Sequence, residues 1–134
     1  MNKYDHRYNS ADSAGFKTFQ LASGYVSTTR ILFEAEALLA VIEAKGVVEF
    51  FDCSDRSIAV FDIPAQTGGR EVYETVSCGK VENTLVLKFP IVEWIDNYPN
   101  CDGEHDRWDT RTIGYHVLTF DPAAHTVKIT EEKR

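Results

Sequence analysis

Residues 28–46 read TTRILFEAEALLAVIEAKG, and this stretch decides the fold that the sequence predicts. Thr28 or Thr29 can cap the first turn of a helix, and Gly46 can take the left-handed conformation that ends one. On a 3.6-residue period the apolar side chains form one stripe along the helix. The stripe comprises Ile31, Leu32, Ala35, Leu38, Leu39 and Ile42. We therefore expect one main helix over about residues 29–45.

The expected helix also has small or apolar residues on the side away from that stripe: Phe33, Ala37, Ala40 and Ala44. A helix with apolar residues on two sides packs between a sheet and another body, such as a loop, a second protomer or a ligand. A homodimer buried against these four residues, or a small apolar ligand, would each account for the pattern. Alternation of Ile31 with Phe33 also fits the start of a strand, but the Ala, Leu and Glu content favours a helix.

After Gly46 the hydrophobic period changes to two, which is typical of half-buried strands. Segments with this alternation are separated by turns rich in Gly, Pro, Asp or Asn. They cover residues 47–51, 56–63, 70–78, 83–94, 112–120 and 125–130, and residues 16–21 can add one more. The sequence therefore predicts an α+β fold, with the main helix packed on a mostly antiparallel sheet of about six or seven strands.

The length of 134 residues suits a single domain over residues 1–134. Residues 1–14 mix polar, charged and small side chains without a period, so we expect a flexible or peripheral N-terminal segment. They lack the apolar run of a signal peptide, and no stretch approaches the roughly 20 apolar residues that span a bilayer. Cys53, Cys78 and Cys101 form neither a disulfide framework nor a Cys-x-x-Cys pair, which favours free thiols in the reducing cytoplasm.

The charge balance limits the partners that the protein can bind. The chain has 14 Lys and Arg residues and 21 Asp and Glu residues, which give a formal net charge of −7 at pH 7. This charge repels phosphate backbones and anionic lipids, so nucleic acid and membrane surfaces are disfavoured. It favours encounter with a protein partner that is itself basic.

The one long irregular stretch of this prediction is DNYPNCDGEHDRWDTR at residues 96–111. Long loops inside compact domains often carry function. Aromatic residues bracket several carboxylates here, and rigid aromatic anchors ringed by charge are common at protein interfaces. The residues expected to contact a protein partner are Asp102, Glu104, Asp106, Trp108 and Asp109.

A metal site is the alternative for the same stretch, because carboxylates and histidines ligate hard and transition metals. Its ligands would be Asp102, Glu104, His105 and His116. The stretch departs from the calcium-binding loop pattern, because Gly103 fits the glycine position but Tyr98 replaces the first carboxylate. A lone histidine in a strand, such as His116, is also more often packed than bound to a metal.

No catalytic pattern accompanies these features, since the sequence lacks a nucleophile elbow, a phosphate-binding loop and a dinucleotide fingerprint. The function predicted first is therefore a small acidic binding module without a cofactor, such as an inhibitor or immunity-type protein that masks a basic protein surface. The alternatives are a metal-dependent hydrolase or metal-stabilised domain that uses residues 96–111, and a small apolar ligand-binding domain.

Overall fold

The computed structural model describes residues 4–12, 15–22, 28–64, 72–96 and 108–133, with only the backbone described for residues 94–96 and 108–110. Within these ranges the protein has ten strands and no helix. The described residues accordingly contain no helix long and apolar enough to cross a membrane. The strands are β1 (Asp5–Tyr8), β2 (Lys17–Gln20), β3 (Thr28–Phe33), β4 (Leu38–Glu43), β5 (Val47–Phe51), β6 (Ser57–Asp62), β7 (Thr75–Val81), β8 (Thr84–Asp96), β9 (Trp108–Asp121) and β10 (Thr126–Lys133).

The strands form two five-stranded sheets. The first sheet has the order β1-β3-β4-β5-β6, and the second has the order β10-β9-β8-β7-β2. All pairs are antiparallel except β1 and β3, which run parallel. Strands that follow each other along the chain are neighbours from β3 to β6 and from β7 to β10, so each sheet is built mainly as a meander.

The two sheets pack face to face around a shared apolar core. The rings of Phe50 in β5 and Phe120 in β9 stack across this core, and Phe61 in β6 packs against Phe120 with ring centroids 6.0 Å apart. Burying a side chain of this size contributes about 1.5–3 kcal/mol to stability. Alternate residues of β3 and β4 point into the core. On β3 and β4 these are Thr29, Ile31, Phe33, Leu38, Ala40 and Ile42.

The helix predicted over residues 29–45 is wrong, and so is the α+β class, because the described protein is all β. Residues 28–43 form the β3–β4 hairpin, in which residues 34–37 make the turn. The turn sequence Glu-Ala-Glu-Ala has a high helix propensity, which hid the break between two strands. Ala37 ends the turn with a φ of 54°, a left-handed conformation usually indicated by glycine or asparagine. Packing against the second sheet overrides the local preference for helix.

Three of the four residues expected on the second side of that helix lie inside the protein, and the fourth, Ala37, is exposed. Phe33, Ala40 and Ala44 are at most 1% exposed, and Ala37 lies in the turn. The two-sided helix that suggested a homodimer or a small apolar ligand is therefore not formed, and both stay predictions. The hairpin strands present to solvent the residues that alternate with the buried ones. Leu32 is one of them, with 36% of its surface exposed.

Candidate functional site

The second sheet continues beyond its neighbouring strands as a two-stranded arm. β8 and β9 are the longest strands, with 13 and 14 residues. β7 pairs with β8 only as far as Lys88, and β10 pairs with β9 only from Gly114 onward. Beyond these limits residues 92–96 of β8 pair with residues 108–112 of β9, and we call these two segments the arm. At about 3.3 Å per residue, its paired rows span roughly 16 Å.

A β-bulge separates the arm from the rest of the sheet. The register changes between Ile91 and Val92, which leaves Ile113 of β9 as the extra residue. Bulges bend a strand and increase its local twist, so this one sets the direction of the arm. Gly114 follows the bulge because β10 approaches closely there. A Cβ atom at this position would lie 2.6 Å from the carbonyl oxygen of Glu132.

One ion pair joins the two strands of the arm. Glu93 and Arg111 are directly opposite each other in the ladder. Nε of Arg111 donates a hydrogen bond to Oε1 of Glu93. The Glu93 side chain is 32% exposed and that of Arg111 is 66% exposed. An exposed pair of this kind stabilises by less than about 1 kcal/mol, so its main effect is to favour the observed register.

Tyr73 supports the base of the arm. Its N–H donates to the carbonyl oxygen of Ala44 at 2.7 Å, and its hydroxyl donates to that of Pro64 at 2.5 Å. Its ring lies edge-on to Phe89 and His116, with centroids 5.3 and 6.4 Å apart. Desolvation raises the pKa of the buried phenol, which therefore stays protonated and keeps its hydrogen bond. Tyr73 thus connects the turn after β4, the segment after β6, and the parts of β8 and β9 that adjoin the arm.

His116 lies at the base of the arm and is half-buried. It pairs with Phe89 of β8 and Glu131 of β10. Burial lowers the pKa of the imidazole, and the opposing effect of the Glu131 charge is smaller, so the ring is mostly neutral at pH 7. In an extended strand, the eight positions between His116 and Trp108 span about 26 Å. His116 is therefore far from the outer end of the arm.

Two of the predicted partner-contact residues lie on the arm itself. The backbones of Trp108 and Asp109 form its outermost rows, opposite Asp96 and Ile95. The stretch expected to be irregular, residues 96–111, therefore begins and ends in paired strand. The polar sequence of β9 here lacks the alternation of apolar residues that indicates a strand.

The other predicted site residues in this stretch lie outside the described residues. They are Asp102, Glu104, His105 and Asp106. His116 is thus the one described member of the predicted metal set. In the part of the chain that the structure describes, no group of three or more His, Cys, Asp or Glu side chains could hold a metal ion. A metal site on residues 96–111 stays a prediction.

The two described cysteines are free thiols. Cys78 is buried in the core, and desolvation raises the pKa of its thiol, which keeps it protonated and unreactive. Cys53 is exposed in the turn between β5 and β6. Cys101 lies outside the described residues.

Sequence reasoning missed a groove on the outer face of the first sheet. This groove encloses about 570 Å³, and Leu32 and Leu39 form part of its lining. Charged residues from β1 and from the turns after β3 and β5 complete the walls, among them Asp5, Arg7, Glu34 and Asp55. Apolar and polar residues partly alternate over residues 28–33, and this pattern could have indicated that Leu32 faces outward. The predicted helix instead placed Leu32 in its buried stripe.

No family model, curated protein or solved structure matches the chain. Its function is therefore inferred from the arm, the groove and the charge of this chain. The arm belongs to the second sheet and the groove to the first, so each can be tested without disturbing the other.

Proposed function

We propose that the protein is a non-enzymatic binding module of the cytoplasm, which recognises a basic protein surface with the outer end of the arm. The observation that carries this proposal is the pairing of β8 with β9 beyond the ends of β7 and β10. A paired backbone is already ordered before binding, so less conformational entropy is lost when a partner docks on it. The proposed contact residues are Asp102, Glu104, Asp106, Trp108 and Asp109.

The sequence of this stretch defines the chemistry of the partner. Between Asp96 and Asp109 the chain has five carboxylates against the single cationic side chain of Arg107. A negative surface attracts a basic partner at long range and raises the association rate. Trp108 would supply the large aromatic contact that often dominates binding energy.

An inhibitor or immunity-type role is the form of this function that fits best. Extended basic surfaces are typical of proteins that bind nucleic acids, because they neutralise phosphate charge. Carboxylates at the end of the arm would occupy the positions that phosphates otherwise take. Binding would therefore block the partner's access to nucleic acid without any chemical step.

The test compares proteins retained from an extract of the source cells by three immobilised forms of the chain. The first is the wild type. The second is an arm variant with Trp108→Ala, Asp106→Lys and Asp109→Lys. The third carries Glu82→Lys and Glu131→Lys, the same change of charge at two exposed positions in the β7–β8 turn and in β10.

A basic protein that binds the wild type and the Glu82/Glu131 control, but not the arm variant, supports the proposal. With that protein purified, the arm variant should bind at least about 30-fold more weakly, as expected for the loss of one dominant contact. Retention of the same proteins by all three forms, or of none by the wild type, would contradict the proposal.

A further inference from the structure

The outer face of the first sheet carries an apolar row in the middle of a charged surface. Leu32, Leu39 and Phe51 are cross-strand neighbours on β3, β4 and β5. Val41 and Val60 belong to the adjacent row, and Val60 is 57% exposed. The solvent face of an antiparallel sheet is ordinarily polar, and a contiguous apolar patch on it indicates an interaction surface.

The charges around this row are predominantly negative. Apart from Glu36, which pairs with Lys80 of β7, the outer face and its bordering turns carry seven carboxylates: Asp5, Glu34, Glu43, Glu49, Asp52, Asp55 and Asp62. The four cationic side chains are Arg7, Arg30, Lys45 and Arg56. Two carboxylates are paired within the face, Glu34 with Arg7 at 3.6 Å and Glu43 with Lys45 at 3.5 Å. The face therefore keeps an excess of negative charge.

The apolar row and the excess of negative charge together indicate which kind of molecule could cover this face. A second copy of the chain would bring two negative faces together, which opposes association. A small molecule would be poorly enclosed, because the groove lies open on the face of the sheet. A segment of another protein that presents apolar and cationic side chains on the same face of an extended chain matches both the apolar row and the surrounding carboxylates.

We propose that the outer face of the first sheet is a second docking surface, which takes an extended cationic segment of another protein. The apolar side chains of that segment would lie on Leu32, Leu39 and Phe51. Its lysines or arginines would meet carboxylates at the edges of the groove, chiefly Asp5 and Asp55, which form no ion pair with another described residue. This surface lies on the opposite sheet from the arm, so it stands or falls independently of the function proposed above.

The probe for this surface is a fluorescently labelled nine-residue peptide that repeats Lys-Lys-Leu-Leu and ends in Lys, so that each face of the extended peptide carries both residue types; its binding is measured by anisotropy near physiological salt. A second peptide, in which Glu replaces every Lys, keeps the apolar pattern and reverses the charge. We expect saturable binding of the Lys peptide and at least tenfold weaker binding of the Glu peptide. When the Lys peptide is added to the isotope-labelled protein, the amide chemical shifts of Leu32, Leu39 and Phe51 should change.

Two matched double variants locate the site. Asp5→Asn with Asp55→Asn neutralises two carboxylates of the groove, and asparagine tolerates the left-handed φ of 62° at position 55. Glu82→Gln with Glu131→Gln makes the same change of charge away from the face. The first pair should weaken Lys-peptide binding at least fivefold, and the second should change it less than twofold. Thermal melting confirms that each variant is folded.

Leu32→Ser is the additional variant if the Asp5/Asp55 pair fails to fold, because Leu32 is already 36% exposed. It should also weaken the Lys peptide at least fivefold. The proposal is overturned if the peptide does not bind, if both double variants weaken it equally, or if the shifts fall on the second sheet. Concentration-dependent dimerisation that protects Leu32 and Phe51 without peptide would assign the face to a second copy instead.

Discussion

Phe50 and Phe120 stack across the two sheets with their ring centroids 4.4 Å apart and their planes 15° apart. Both side chains are fully buried. Phe50 belongs to β5, which lies between β4 and β6 in the first sheet, and Phe120 belongs to the strand that continues into the arm. The stack therefore fixes β9, and with it the base of the arm, relative to the first sheet.

Replacing Phe50 by Ala should lower the free energy of unfolding by about 3–5 kcal/mol, because the core loses buried area and gains a cavity. Val60→Ala is the matched control in the neighbouring strand, since Val60 is 57% exposed, and it should change stability by less than about 0.5 kcal/mol. Urea denaturation of the two variants gives the comparison. Equal losses for both would argue against the packing of the two sheets described here.

Stability should fall as the pH falls from 7.5 to 5.5, partly because of His116. Burial lowers the pKa of this side chain in the folded state, so the unfolded chain, with a pKa of about 6.5, binds its proton more readily. The contribution of His116 to the free energy of unfolding is fully present above the pKa that His116 has in the unfolded chain. It is lost as the pH falls toward the lower pKa that His116 has in the folded protein. His116→Gln should therefore reduce the pH dependence of the unfolding midpoint in this window. An unchanged slope would show that His116 does not titrate in this way.

The ion pair between Glu93 and Arg111 should hold the strands of the arm in register. Glu93→Arg places two cations opposite each other and should speed amide hydrogen exchange at residues 91–93 by a few-fold, consistent with a pair worth under about 1 kcal/mol. The double variant Glu93→Arg with Arg111→Glu restores the attraction and should restore the exchange rates. Equal exchange in the single and double variants would mean that the pair does not stabilise the arm.

A chelator should leave the melting temperature of the purified protein unchanged, because the proposed binding module needs no metal. A ligand that binds only the folded state raises the melting temperature in proportion to its affinity and concentration. The alternative metal site on residues 96–111 therefore predicts a fall on chelation, which added Zn²⁺ or Ca²⁺ would reverse. A fall of several degrees with such a reversal would favour the metal-stabilised alternative.

Part of the fold could be predicted because some strands carry the signal of burial on one face. The segments that form β5 and β6 are rich in Val, Ile and Phe and are separated by a turn of Asp and Ser, and their predicted positions nearly match the observed ones. The β3–β4 hairpin could not be recognised in the same way. Its turn contains only Glu and Ala, so propensity favoured continuing a helix where the chain reverses. Contacts with the second sheet, which no local pattern records, decide the outcome.

The candidate site was predictable in composition but not in architecture. The acidic and aromatic residues of 96–111 drew attention to this stretch from the sequence alone. That β8 and β9 continue as a pair beyond Lys88 and Gly114 depends on where β7 and β10 end. The groove depends on cross-strand neighbours such as Leu32 and Leu39, which a helix assignment places on the buried side. Both features arise from pairing between distant segments.

The most direct measurement of the central claim is the affinity of the basic partner for a chain with a shortened arm. In this variant an Asn-Gly turn replaces residues 97–107 and closes the arm between Asp96 and Trp108, which already pair. The account predicts a melting temperature within a few degrees of wild type and at least 100-fold weaker binding. A folded variant that binds within twofold of wild type would contradict the proposal that the end of the arm is the binding site.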